Sequence, residues 1–221
     1  MSIATDTIAA LATPVGTAAI AVVRASGPLS PGLAEKIFCE TPPPRQARHG
    51  DYRDVAGRLV DDVLFTFFAG PNSFTGEDSL EISCHGNPFI AQKILADLFA
   101  RGCRPAEAGE FSKRAFLNGR LDLSQAEAIM DLIHARSERA LAVANQQLRG
   151  SLGREMDVLI ALLLSALARI EAYIDFPDED LPSEDRARLL GDFQELRMRT
   201  SRLLTLPVMT GKKQETTMGR D

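Results

Sequence analysis

The sequence predicts an α+β protein in two parts, a mixed strand-and-helix half followed by an all-helical half. Three observations carry this. Through Cys84, short apolar runs of strand length alternate with turns built from Gly, Pro and Asn. From Ala126 onward, apolar residues recur at helical spacing instead. Between the two lies Glu110 to Ala135, EFSKRAFLNGRLDLSQAEAIMDLIHA, which concentrates the polar residues Glu110, Lys113, Arg114, Asn118, Arg120 and Asp122.

Taken in order, Thr7 to Leu11 forms a short apolar strand, broken by Thr13-Pro14-Val15-Gly16. Ala18 to Arg24 is a second strand, apolar enough for burial on both faces, and Arg24-Ala25-Ser26-Gly27-Pro28 turns out of it. Ser30 to Phe38 is a short helix that tolerates Pro31 in its first turn, and Pro42-Pro43-Pro44 is an extended connector. His49 to Val55 and Leu59 to Phe68 pair around Ala56-Gly57-Arg58. Val63, Phe65 and Phe67 alternate with Leu64, Thr66 and Phe68, which predicts that the second of these is covered on both faces. Gly70 to Asp78 is a structured loop, and Ser79 to Cys84 a strand with Leu80 and Ile82 on one face and Glu81 on the other. Asn87 caps a helix whose first residue is Pro88 and whose apolar stripe runs Phe89, Ile90, Ile94, Leu95, Leu98, Phe99 before Gly102 ends it.

Phe111, Arg114, Ala115 and Leu117 suit a short helix stopped by Asn118-Gly119, because Gly adopts the left-handed conformation that ends many helices. Ser124-Gln125-Ala126-Glu127 reads as a capping box opening a long helix with one apolar face from Ala126 to Leu148. After a break at Gly150-Ser151, Leu152 to Ile174 marks the next helix. Asp175 to Asp185 is an acidic loop, and Ser183 opens a third helix with Leu189, Phe193, Leu196 and Leu203 on its buried face. Three such stripes cover one another poorly, so the helical half reads as an incomplete bundle. From Pro207 onward no apolar period remains, and the tail from 207 to 221 is expected to be disordered.

The bulk numbers exclude several classes. A net charge of -5 gives no global basic field for nucleic acid. Any RNA contact rests on a local run, Arg101, Arg104, Lys113 and Arg114, diluted by Glu107 and Glu110. Three separated cysteines, Cys39, Cys84 and Cys103, fit a reduced, cytoplasmic protein. The longest apolar run, Val158 to Ala168, is too short to span a bilayer, and no targeting segment is evident.

Candidate sites are few. Cys84-His85 raises metal or thiol chemistry, but no second ligand cluster accompanies it, and a strand-to-helix turn accounts for it. No metal site is expected. Asp61-Asp62 reads as a solvated hairpin flank. The acidic loop lacks calcium-loop spacing, and Gly211-Lys212-Lys213 lacks the earlier Gly and the following Ser or Thr of a phosphate loop. Arg24 is either a solvated strand end or a ligand-facing cation, and Arg24, Arg114 and Arg120 mark a possible anionic-ligand site.

The specific strings say more. Asp6-Thr7-Ile8-Ala9-Ala10, Ala12-Thr13-Pro14, Phe74-Thr75-Gly76-Glu77-Asp78, Glu81-Ile82-Ser83-Cys84-His85-Gly86, Gly109-Glu110-Phe111, Arg114-Ala115-Phe116-Leu117-Asn118-Gly119, Asp122-Leu123, Gln125-Ala126-Glu127-Ala128 and Asp175-Phe176-Pro177 resemble the MnmE (TrmE) family of tRNA-modification GTPases, in order and at its spacing. The resemblance implies an aminomethyltransferase-like, folate-binding and dimerisation domain over 1–120 and the first part of a helical domain over 121–206. It implies 5-formyltetrahydrofolate or another tetrahydrofolate as ligand, with Arg24, Glu81 and Arg120 as its contacts. Arginine forks suit glutamate or formyl oxygens, and the Glu81 carboxylate suits the paired N–H groups of a pterin. It further implies a homodimer, the flavoprotein partner MnmG, tRNA as substrate, and addition of an aminomethyl-type group to the wobble uridine.

Two local departures are Asn87, where the family has a second Gly after His-Gly, and Ala108, where it has Pro. The larger one is that no phosphate loop, switch segment or terminal Cys motif is found in these 221 residues. GTP, magnesium and potassium are therefore expected only in a complete family member, and this chain alone is expected not to hydrolyse GTP. Two other readings stay open, a stand-alone folate-dependent one-carbon transferase and a non-catalytic module that docks on a full-length member.

Overall fold

The computed structural model describes residues 6–40, 42–175 and 183–205. The chain divides into two units, residues 1–126 and 127–221. The first carries β1 (Ile8–Leu11), β2 (Ile20–Ser26), α1 (Ser30–Phe38), β3 (Ala47–Arg53), β4 (Leu59–Phe68), β5 (Ser79–His85), α2 (Pro88–Ala100), β6 (Arg104–Pro105) and α3 (Glu110–Leu117). These strands make one mixed sheet in the order β3-β4-β5-β2-β1-β6. Every pairing is antiparallel except β1 with β6.

Register explains how the sheet gains its two faces. Val23 pairs with Ile82, and Ile82 with Phe65, so their side chains share a face. Helices α1 and α2 cover that face: Leu33, Ala34, Ile37, Ile94 and Leu98 join Val23, Ile82, Phe65 and Tyr52 in one core. The opposite face carries Arg24, Glu81 and Thr66 in one cross-strand row, and Val22, Ser83 and Leu64 in the next. Within this unit its far end is open, with Ile20 60% and Leu64 49% exposed.

Tyr52 brings a hydroxyl into the core and donates it to Asp97 on α2 at 2.8 Å. Asp97 also accepts from the Val55 backbone N–H at 2.8 Å and from Arg101 Nε at 2.6 Å, which ties the β3–β4 hairpin to α2. The Asn87 side chain caps α2 by accepting from Phe89 N, with Pro88 in the first turn as expected.

Helix α4 runs Leu123–His134, and residues 127 onward continue with α5 (Glu138–Leu148), α6 (Ser151–Asp175) and α7 (Ser183–Thr205). Helices α6 and α7 are joined by Arg169 to Asp192 at 2.7 Å and Arg199 to Glu155 at 2.9 Å. The large apolar residues Leu163, Leu164 and Leu167 of α6 stay at least half exposed. Among the described residues no helix is long and apolar enough to cross a membrane.

Several expectations need correction. Strand β2 continues two residues past Arg24, which therefore sits within a strand and not at its end. Both β2 and β4 are fully buried along one face only: on the other, β2 runs from exposed Ile20 to buried Ser26 beside the α3 cluster, and β4 keeps Leu64 exposed. Phe89 points outward from α2 at 75% exposure. The single long helix expected over Ala126 to Leu148 is two: α4 ends at His134, and the Ser137 side chain caps α5 by accepting from Ala140 N. The capping box at α4 lies two residues earlier than read. Asp122 Oδ1 accepts from the Gln125 N–H and the Ser124 hydroxyl, each at 2.7 Å, while Gln125 Oε1 accepts from Asp122 N at 2.9 Å. Strand β6 was not anticipated. Most of the acidic loop and the tail from 207 lie outside the described residues.

Candidate functional site

Arg24 and Glu81 face each other directly across β2 and β5. Arg24 donates through Nε at 2.8 Å and Nη2 at 2.7 Å, both to Glu81 Oε1. The pair is about a quarter exposed, at 25% and 29%. Glu81 Oε2 and Arg24 Nη1 make no bond among the described residues. One carboxylate oxygen of Glu81 and the remaining N–H groups of Arg24 are thus left available on the partly exposed pair. The guanidinium carbon lies over two rings, 5.3 Å from the centroid of Phe74 and 5.6 Å from that of Phe111. Phe74 comes from the Gly70–Asp78 loop, and Phe111 from the first turn of α3.

The same loop reaches Arg120. Gly76 has φ +80°, and a Cβ there would lie 3.0 Å from Asn118 Cβ and 3.1 Å from Arg120 Cγ. A side chain at 76 would therefore meet conformational strain and press tightly on Asn118 and Arg120. Asn118 Nδ2 donates to the Thr75 carbonyl at 2.7 Å and holds the turn against the loop. Gly119, with φ 68°, makes that turn, and Arg120 is exposed just after it. Arg24, Glu81 and Arg120 are thus linked through one loop, Arg24 by Phe74 and Arg120 by Gly76.

Arg114 belongs elsewhere. Only 3% exposed, it donates to Asp6 Oδ1 at 2.7 Å, to Glu77 Oε1 at 3.1 Å and to Glu110 Oε1 at 3.1 Å. Arg104 adds donors to Asp6 at 2.7 Å and Glu110 at 2.6 Å. Hydrogen bonds from Arg104, then the Glu107 N–H and Arg114, overcome burial and hold the Glu110 carboxyl down at about 2. The Asp6 carboxyl is lowered by the same two arginines. Beneath the network, the Ser26 hydroxyl bonds Thr75 Oγ1 and Glu77 Oε2, each at 2.7 Å. This cluster pins the loop and α3 to the sheet.

The expected local basic run is therefore mostly consumed. Arg101 pairs with Asp97, Arg104 with Asp6 and Glu110, and Arg114 is buried. Lys113 alone of the four stays exposed without a carboxylate partner among the described residues. Asp61 is not a solvated flank either. It accepts from the His85 backbone N–H and from His85 Nδ1, both at 2.8 Å, with only 9% of its side chain exposed. Cys84 is buried, which pushes its thiol pKa up, and Sγ points to the Ala21 carbonyl at 3.5 Å. Among the described residues no group of three or more His, Cys, Asp or Glu is placed to hold a metal.

Sequence reasoning singled out Arg24, Glu81 and Arg120 but not Phe74 or Phe111. The signal for the rings was present in Phe74-Thr75-Gly76-Glu77 and Gly109-Glu110-Phe111. In each string the aromatic lies within three residues of an acid that grips Arg114.

A mixed sheet with one helix-covered face, a charged pair on the other and a following set of long helices defines the class of chain. Two family models match it: GTP-binding protein TrmE N-terminus over residues 7–120, and MnmE helical domain over residues 123–207. The chain belongs to the MnmE (TrmE) family. It is 62% identical to a tRNA modification GTPase MnmE of Opitutus terrae over 199 residues, 90% of this chain and 44% of that protein. It is 46% identical to the protein of that name from Akkermansia muciniphila over 202 residues, 90% of this chain and 45% of that protein. With the Roseiflexus castenholzii protein of the same name it shares 46% over 184 residues, 81% of this chain and 40% of that protein. The chain thus spans less than half the length of these relatives.

Proposed function

We propose that this chain binds a tetrahydrofolate derivative, 5-formyltetrahydrofolate or a close relative, through Arg24, Glu81 and Arg120. It self-associates through a domain spanning residues 1–120, with residues 121–206 forming the helical part. It acts as a portion of a cytoplasmic tRNA-modifying GTPase that, with the flavoprotein MnmG, adds an aminomethyl-type group to the wobble uridine. GTP hydrolysis, with its magnesium and potassium, resides outside this chain.

The observation that carries the folate reading is the unsatisfied part of the Arg24–Glu81 pair, one carboxylate oxygen and the guanidinium N–H groups not spent on Glu81, on a pair about a quarter exposed. A pterin edge offers paired N–H donors to such an oxygen, and carboxylate or formyl oxygens accept from arginine. Self-association is supported by the open end of the same face, with Ile20, Leu64 and the exposed Val15 in one unit.

Calorimetric titration of the 221-residue chain with 5-formyltetrahydrofolate tests the first claim, and no heat from a folded sample ends it. Glu81→Ala is expected to weaken binding by about 1–3 kcal/mol, the scale for stranding a buried polar partner. Sedimentation equilibrium tests the second: a dimer for the wild type and a monomer for Leu64→Lys are expected, and a monomeric wild type at micromolar concentration rejects it.

A further inference from the structure

Arg24 is an unusual cation for its place. It sits mid-strand on an otherwise open sheet face, yet its guanidinium carbon is within 6 Å of two phenyl centroids, at 5.3 and 5.6 Å. Such rings restrict a guanidinium to donation along its edge, and they attract it through their quadrupoles. Two of the edge donors, Nε and Nη2, are already on Glu81 Oε1. What remains is fixed in direction.

The two rings come from separate elements that share one anchor. Phe74 precedes Glu77 by three positions, and Phe111 follows Glu110 directly. Glu77 and Glu110 both bond to the buried Arg114. The loop and α3 are therefore clasped to each other at Arg114, and each places a ring on Arg24.

We infer that Phe74 and Phe111 are positioning residues that hold the Arg24 guanidinium, and through it Glu81, in the orientation that receives a ligand. This rests on the folate reading for the ligand's identity but not for the clamp. Neither ring needs to touch the ligand for the clamp to act. Its effect is to fix in advance the directions of the Arg24 donors and the Glu81 acceptor left over, which lowers the ordering cost of binding.

The test uses the full chain with Phe111→Leu, Phe74→Leu and Phe111→Tyr, each in the wild-type and the Arg24→Gln background. The first readout is the Arg24 Nε–H resonance in nitrogen-15 spectra, assigned by its loss in Arg24→Gln. The second is the calorimetric affinity for 5-formyltetrahydrofolate. Melting curves report folding, and Phe74→Leu, on an exposed loop position, serves if Phe111→Leu does not fold.

Each Leu variant is expected to move the Arg24 resonance toward the position of a free arginine and to weaken binding about fivefold. Phe111→Tyr is expected to retain both, and the Leu variants to lose no further affinity when Arg24 is Gln. An unmoved resonance overturns the clamp. Equal affinity losses in both backgrounds overturn its action through Arg24. A wild type that shows the displaced resonance but binds no folate rejects the folate reading and leaves the clamp standing.

Discussion

The sheet unit and the helical unit handle apolar and charged groups in opposite ways. In the first, Leu80, Ile82, Ile94 and Leu98 are fully buried, and Arg114 is enclosed by three carboxylates. In the second, Leu159, Ala166 and Leu196 are buried, while Leu163, Leu164 and Leu167 are half exposed or more. Its ion pairs, such as Arg199 with Glu155, are open to water. One sheet face covered by two helices closes a core within the unit. Long helices with broad apolar faces do not, because α6 and α7 cover each other along only part of their circumference. Stability is therefore concentrated in residues 1–126, and the helical unit keeps apolar surface available.

The sharpest way to break this contrast is to remove the hub. Arg114→Met leaves Asp6, Glu77 and Glu110 facing one another without their shared donor. Removing one partner of a buried ionic cluster costs on the order of 3–5 kcal/mol. Urea unfolding followed by circular dichroism reads it, and a loss below about 1 kcal/mol would show that the network is peripheral to stability.

A matched pair of truncations comes next. Ile82→Ala, in the middle of the covered face, is expected to cost about 2–5 kcal/mol from lost transfer energy and a cavity. Leu163→Ala, already half exposed on α6, is expected to change stability by no more than about 0.5 kcal/mol. Equal effects at the two positions would erase the distinction between the units.

Acid sharpens it further. The Glu110 pKa is lowered from 4.5 to about 2 in the folded protein. A depressed carboxyl contributes stability that is fully present above its unfolded pKa and lost as pH falls through the folded one. The sheet unit is therefore expected to lose on the order of 2–3 kcal/mol between about pH 4.5 and pH 2, with the lowered Asp6 adding in the same direction. Glu110→Gln is expected to flatten that limb of the stability profile, and an unchanged acid limb would assign it to other carboxylates.

The elements that sequence conveys well are those whose signals are local. Ser30–Phe38 follows from a first-turn proline, the Pro88 helix start from the Asn87 cap and a fixed proline φ, and the Asn118-Gly119 stop from one left-handed glycine. What stayed hidden is decided by partners distant in the chain. Arg24 lies mid-strand because β2 stays paired with β5 through Ala25 and Ser26, which also sets it against Glu81, 57 residues away. Arg114 looks like a surface cation in its own helix, and only Asp6, 108 residues away, and Glu77 reveal it as a buried hub. The two-residue strand β6 carries no periodicity, since parallel pairing with β1 defines it. The open face of β4 has the same apolar sequence as a covered one, and only the helices' placement separates them.

The smallest effect tests the entry into α4, where the first unit ends. Two side chains compete for the capping role, and the sequence pattern favours Ser124. The geometry favours Asp122, whose Oδ1 accepts from Gln125 N at 2.7 Å, and whose carboxyl is lowered by the Ser124 hydroxyl and that same N–H. Asp122→Ala removes the acceptor and is expected to cost about 1 kcal/mol. Ser124→Ala removes only a donor to Asp122 and should cost a few tenths, roughly the scale of a solvated contact. Amide exchange over residues 123–134 reads both, because fraying at a helix start reaches the first turn before the rest. If Ser124→Ala opened that turn as much as Asp122→Ala, the cap would lie at 124, and α4 would begin where the sequence pattern had placed it.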